Sequence, residues 1–273
     1  MQVTILGSGS PMVAADRAGP STLVRIGRTD LLFDCGRAVL MRGVAAGMTA
    51  RELAAVFVTH MHSDHTTDYN DVITTRWITN TEPRPLTAIG PVGFKKFTDA
   101  TLAMLENDIH YRMAHHPDLP HRPEVNVTEV SEGLAWEAEG IRVVAAPTDH
   151  SPVHPTVGFR IEAEGKVVVI AGDTVPCPGL TSLCKGAHVY VQTVIRRQMI
   201  EKVPIQRFRD VMDYHSDIAQ AAQTARDAGV RTLVLNHPVP APLPGTEPQW
   251  IAEAKAHFDG EVLLATDLLK IEA

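Results

Sequence analysis

Three things are scarce in this chain of 273 residues: long apolar runs, cysteine and positive charge. No apolar run approaches the roughly 20 residues that a bilayer-crossing helix needs, so no membrane partner is expected. The opening stretch, Met1-Gln2-Val3-Thr4-Ile5-Leu6, reads as a strand and lacks the basic and long apolar regions of a secretory signal. Cys35, Cys177 and Cys184 are odd in number and unpaired in spacing. A disulfide framework is therefore excluded, and a reducing, cytoplasmic setting is expected. Lys and Arg total 25 against 32 acidic residues, for a net charge of −7. That balance argues against broad binding to a nucleic-acid backbone, where clustered basic residues neutralise phosphates.

The abundant residues point the other way. Hydrophobic residues make up 44% of the chain, and a mean hydropathy of −0.03 describes a soluble globular protein. The length suits one domain, 1–273, with ample core. Histidine is the compositional outlier, at thirteen residues.

Six residues organise the rest: His60-Met61-His62-Ser63-Asp64-His65. They follow Ala54-Ala55-Val56-Phe57-Val58, a short, uncharged run that reads as a buried strand. Four potential ligands thus crowd one loop at a strand end. His60 and His62, two apart in an extended turn, can converge on one cation, while Asp64 and His65 can face a second. Imidazole and carboxylate donors suit Zn²⁺, with Mn²⁺ or Fe as alternatives.

Other candidates also follow apolar runs. Ile141–Ala146 leads to His150, Lys166–Ile170 to Asp173, and Arg231–Leu235 to His237. Sites in α/β sheets collect at strand ends, so the placement is topological as well as chemical. Asp34 ends the strand Asp30–Asp34 and has two readings, an acceptor for a metal-bound imidazole or a helix N-cap. The glycines of Gly7-Ser8-Gly9 read as a turn. Residues 37–53 are expected to be helical with a break near Gly47, and Thr66 to Trp77 to be a helix. Pro83, Pro85 and Pro91 punctuate 80–124, which reads as a cap or loop insertion containing a helix from Gly93 to Leu105. His115, His116 and His121 fall in a loop there. Arg76, His110, Tyr111 and Arg112 are the candidate substrate contacts.

The pattern His60-x-His62-x-Asp64-His65 resembles the signature of the metallo-β-lactamase superfamily of metal-dependent hydrolases. Finer similarity is to its ribonuclease Z-like branch, in Leu6-Gly7-Ser8-Gly9-Ser10-Pro11, Phe33-Asp34-Cys35-Gly36, Val157-Gly158-Phe159-Arg160-Ile161, Gly172-Asp173-Thr174 and His215-Ser216-Asp217. With the strand-rich halves, each followed by helical stretches, the resemblance implies a four-layer αββα sandwich. It implies two metal ions per chain, one held by His60, His62 and His150 and the other by Asp64, His65 and His237. Asp173 would bridge them, one carboxylate oxygen to each ion. The implied reaction is phosphodiester hydrolysis of ribonuclease Z type, on RNA or a small diester, by a metal-bridging hydroxide. Asp64 and His215 would be the catalytic side chains, His215 as general acid. Ser216 could instead cap the following helix, with His215 merely preceding it.

The processing members of the branch carry a long Gly- and basic-rich arm before the fourth-motif Asp. Here only a hairpin's length separates His150 from Asp173. An ester, lactone or aryl-sulfate hydrolase therefore stays open as the alternative, and a metal-binding non-enzyme as a third reading. A homodimer is implied by the resemblance alone.

Overall fold

The apolar runs are uninterrupted because both faces of their strands are covered. In the computed structural model, which describes all 273 residues, two seven-stranded sheets pack face to face with helices on both outer sides. The first sheet contains β1 (Gln2–Gly7), β2 (Ser21–Ile26), β3 (Thr29–Phe33), β4 (Ala55–Phe57), β5 (Leu86–Gly90) and β6 (Val125–Glu129). The second contains β7 (Gly133–Ala138), β8 (Ile141–Pro147), β9 (Val157–Ala163), β10 (Lys166–Ile170), β11 (Val189–Ile195), β12 (Thr232–Val239) and β13 (Glu261–Leu264). The last strand, β14 (Leu269–Glu272), returns to pair with β1. The orders are β14-β1-β2-β3-β4-β5-β6 and β13-β12-β11-β10-β9-β8-β7. Each sheet is antiparallel at one end and parallel at the other.

Alternation decides which side chain goes where. Leu31 and Phe33 of β3 and Ala55 and Phe57 of β4 face the second sheet, in a shared core of 25 buried residues. Phe57 stacks on Phe33 at 4.7 Å between centroids and meets Phe159 of β9 edge-on at 5.3 Å, so aromatic contacts join the sheets. Leu32, Val56 and Val58 point outward under Val39, Tyr69, Val72 and Phe94. On the opposite outer face, helix Ile218–Asp227 and Trp250 cover Tyr190, Leu233 and Leu235. The four-layer αββα sandwich is what the chain forms. No helix is long and apolar enough to cross a membrane.

Several local expectations change. Residues 37–53 form the helix Val39–Ala45 and a short 3-10 turn, Ala50–Glu52, with Gly47 in the break at φ +76°. The expected helix over Thr66 to Trp77 is two, Ser63–Thr66 and Tyr69–Thr79. The segment 80–124 is not wholly an insertion, since it supplies β5, paired with both β4 and β6. Its buried Leu86, Ala88 and Ile89 belong to the sheet's core, a role the nearby prolines obscured. Gly7 is required for close approach rather than for a turn. A Cβ there would lie 1.8 Å from the Gly19 carbonyl oxygen.

Both sheets aim strand ends at one edge. The loop after β4 lies beside Asp34 at the end of β3, whose amide donates to the Phe57 carbonyl at 2.8 Å. The Val157 amide of the second sheet donates to the Thr59 carbonyl at 3.0 Å. Gly172 makes that contact possible, because a Cβ there would sit 2.7 Å from Thr59 Cβ.

Candidate metal centre

The strand-end residues His60, His62, Asp64, His65, His150, Asp173 and His237 converge at this edge in two groups. His60, His62, His150 and Asp173 form one, and Asp64, His65 and His237 the other; within each group the ligand atoms lie within 4.8 Å of one another. His60 Nε2 and His150 Nε2 stand 3.1 and 3.3 Å from His62 Nδ1. Asp173 Oδ2 lies 3.8 and 3.9 Å from the same two Nε2 atoms. A tetrahedral zinc site with Zn–N near 2.0–2.1 Å has ligand–ligand edges of about 3.3 Å. These donors therefore fit a small tetrahedral cation with only slight contraction.

In the other group His237 Nε2 is 3.1 Å from Asp64 Oδ2. His65 Nε2 lies 3.7 Å from Asp64 Oδ2 and 3.5 Å from Asp173 Oδ2, and is a buried nitrogen without a hydrogen-bond partner. Buried polar atoms are normally satisfied, so this one is accounted for if it is a ligand atom. Asp173 Oδ2 belongs to the first group and also faces the second, through His65 Nε2. It also lies 3.2 Å from His215 Nε2 and 3.9 Å from His237 Nε2. The resemblance implies one carboxylate oxygen for each ion. The geometry differs, since Oδ1 accepts the Thr193 hydroxyl at 2.7 Å and only Oδ2 faces the histidines.

The electrostatics divide along the same line. Burial pushes His60, His62 and His150 down, His150 to about 4, and so holds them in the neutral form that offers a lone pair. Burial also opposes protonation of His65 and His237, but the Asp173 carboxylate, with Asp34 beside His65 and Asp64 beside His237, outweighs it and raises both. Burial would raise Asp173 too, yet the surrounding imidazoles draw it well below the usual carboxylate range. The Asp64, His65 and His237 half therefore calls for positive charge. A divalent cation can supply it in place of protons.

Outer partners fix the tautomers of four of the rings. The His65 Nδ1–H donates to Asp34 Oδ2 at 2.8 Å, and His60 Nδ1–H to the Thr59 hydroxyl at 3.0 Å. His150 Nδ1–H donates to the Tyr214 carbonyl at 2.8 Å, and His215 Nδ1–H to the Val211 carbonyl at 2.9 Å. Of the two readings of Asp34, the structure contains the imidazole acceptor. The helix after His215 is capped by Asp217, whose side chain accepts the Gln220 amide, rather than by Ser216. Asp34 and His237 both have left-handed backbones, φ 60° and 49°. Such strained positions concentrate at functional sites.

Four candidates lie elsewhere. Arg76 is buried and donates to the carbonyls of Ala50, Arg51, Leu53, Arg84 and Pro85, so its guanidinium is fully engaged in bracing the loops before β4 and β5. His110, Tyr111 and Arg112 sit on the helix Glu106–His115, Arg112 paired with Asp108, and line neither cavity that opens onto the histidines. Thr59 and Thr193 were missed by sequence reasoning. A polar pair, Gln192-Thr193, fully buried within the apolar strand Val189–Ile195, was the available signal for the second.

The chain's likenesses to known proteins agree with this geometry. A family described as the β-lactamase superfamily domain matches residues 29–237. A protein named ribonuclease Z, from Mycobacterium bovis (strain BCG / Pasteur 1173P2), is 50% identical over 100% of this chain and 98% of its own length. Among solved structures, the metallo-β-lactamase fold protein YhfI from Bacillus subtilis superposes with a TM-score of 0.78 at 22% identity, covering 100% of this chain and 98% of its own. The short form of human tRNase Z superposes at 0.74 with 21% identity, covering 100% and 99%.

Proposed function

The chain belongs to the ribonuclease Z family of the β-lactamase superfamily, and from that premise we infer that it is a metal-dependent phosphodiesterase acting on RNA. The observation that carries this reading is the single oxygen Asp173 Oδ2, set within 3.5–3.9 Å of four imidazoles in two ligand groups. We assign zinc to these groups, with Mn²⁺ or Fe as alternatives. One ion is assigned to His60, His62 and His150, the other to Asp64, His65 and His237, with Asp173 shared. When bound, two such ions supply the charge that acidifies a water and offsets the negative charge growing on the reacting oxygens.

The remaining work falls to the chain's own side chains. Hydrolysis forms one bond from a water oxygen to phosphorus and breaks one P–O ester bond. The proton lost by the water passes to a carboxylate, a role we assign to Asp64, and from there to solvent. The departing alkoxide takes a proton from His215 Nε2, so the products are an alcohol and a phosphomonoester. His215 is suited to this because its Nδ1–H is held by the Val211 carbonyl while Nε2 turns toward the cluster. His60, His65 and His150 are each anchored through the nitrogen that faces away, which keeps the ligand nitrogens aimed inward.

Between His150 and Asp173 the chain forms only the hairpin of β9 and β10, without a basic arm. A small ester, lactone or aryl-sulfate substrate is the second reading, favoured by that short connection and by the acidic net charge of −7. The relatives named ribonuclease Z match this chain nearly end to end, which keeps RNA first. The deciding assay presents the zinc-loaded protein with bis-p-nitrophenyl phosphate, a pre-tRNA, an acyl-homoserine lactone and an aryl sulfate. Hydrolysis of the first two supports the reading. Turnover confined to the lactone or the sulfate would replace it.

A further inference from the structure

The ligand cluster opens into two cavities that share His62 and Tyr214 and differ in chemistry. One, of about 440 Å³, is walled by Met12, Met199, Val203, Phe208, Val211 and Val239. Its lining includes His62, Asp173 and His237 of the cluster and His215 beside it, and none of the lining residues is Lys or Arg. The other, of about 410 Å³, carries Ser151, Arg207, Asp210 and Asp213 and lacks His215. A phosphodiester has two substituents, one that leaves and one that keeps the phosphate. The two cavities give each its own place.

We propose that the apolar cavity is the subsite for the nucleobase on the leaving side of the scissile phosphate, and that the polar cavity takes the substituent that retains the phosphate. The inference rests on the reading of His215 as proton donor. His215 lines the apolar cavity only, so the oxygen it protonates, and the group attached to that oxygen, must lie on that side. A second phosphate is excluded there, since a phosphate needs cationic or donor-rich surroundings that this wall does not offer. A flat, uncharged ring fits, because its faces can meet the Phe208 and Tyr214 rings and the thioethers of Met12 and Met199. The volume falls within the range of small-ligand sites, roughly 300–1,000 Å³. Apart from the ligand cluster the wall offers few polar side chains, chiefly Ser10 and Tyr214. Recognition is therefore by stacking, which tolerates all four bases.

The test uses the zinc-loaded full chain and RNA dinucleotides in which one base at a time is replaced by hydrogen, with the released alcohol identified by chromatography. Deleting the base of the nucleoside that leaves should lower kcat/KM by roughly 5- to 150-fold, the equivalent of one stacked base. Deleting the base of the nucleotide that keeps the phosphate should cost less than about threefold on the same scale. In a Val203→Asp chain the first penalty should shrink, because the charge spoils the wall that the base would use. Equal penalties for the two deletions, a larger one on the phosphate-keeping side, or a penalty unmoved by V203D would overturn the proposal. So would strong selection for one base, which requires hydrogen bonds to its edge. Hydrolysis of bis-p-nitrophenyl phosphate separates the two levels. If it proceeds while dinucleotides resist, the subsite is wrong; if it fails as well, the phosphodiesterase reading fails with it.

Discussion

Replacing Asp34 with Asn isolates the outer support of the centre from the fold. The Asp34 carboxylate accepts the Thr59 amide at 2.8 Å, the Thr59 hydroxyl at 3.0–3.1 Å and the His65 Nδ1–H at 2.8 Å. Asn has the same shape and tolerates the left-handed φ of 60°. Its amide, however, presents one acceptor and one donor end. A backbone N–H cannot reverse its role, so the oxygen stays with Thr59 and the amide N–H faces His65 Nδ1. His65 then has to accept at Nδ1 and carry its proton on Nε2, the atom that lies 3.5 Å from Asp173 and 3.7 Å from Asp64. A protonated Nε2 cannot be a ligand. Loss of such outer support costs about 10–100-fold in metal affinity. The metal-free fold exchanges one charge-assisted hydrogen bond for a neutral one and should lose only about 1–2 kcal/mol. Competition with a chromophoric chelator measures the first effect, and thermal unfolding in EDTA the second. By contrast, Asp34→Ala strands buried donors at about 1–3 kcal/mol each and should damage both readouts. An Asn variant that binds both ions as tightly as the parent would refute the tautomer argument.

Asp173→Ala should remove metal and activity together, by elemental analysis and bis-p-nitrophenyl phosphate turnover, if the one oxygen that faces imidazoles of both groups holds both ions; retention of two ions would refute the sharing. Arg76→Ala should cost about 3–5 kcal/mol in denaturant unfolding, since five carbonyls lose their donor, yet leave metal stoichiometry intact. We expect a homodimer, so light scattering at micromolar concentration should give twice the chain mass of 29.7 kDa; the chain mass itself would count against it.

The ligand loop was legible because His60, His62, Asp64 and His65 crowd one strand end, a density that a solvated loop seldom shows. His150, Asp173 and His237 were legible for a related reason, each following an apolar run that had to be a strand. What escaped depends on neighbours distant in sequence. Asp34 could be placed at the end of β3, but its choice of partner needed β4 beside it in register, Phe33 opposite Phe57. That Asp173 turns one oxygen rather than two toward the histidines follows from Thr193, twenty residues away on another strand. Arg76 looked like a free cation because a sequence shows the charge and not the carbonyls around it. The strand β5 was hidden by Pro83 and Pro85, which end just before Leu86 and leave its ladder untouched. The two cavities bring together residues 10–12, 151–153, 199–215 and 237–241, an assembly no local pattern announces.

The central claim is that the cluster is a working hydrolytic site in which holding metal and protonating the leaving group are separate tasks. His215→Ala tests it, read on two diesters and by metal analysis. The account predicts that both ions remain and that turnover falls about 10²–10⁴-fold for a poor alkoxide leaving group, with little loss for p-nitrophenolate, which departs without a proton. Loss of metal, or equal losses on the two substrates, would contradict it.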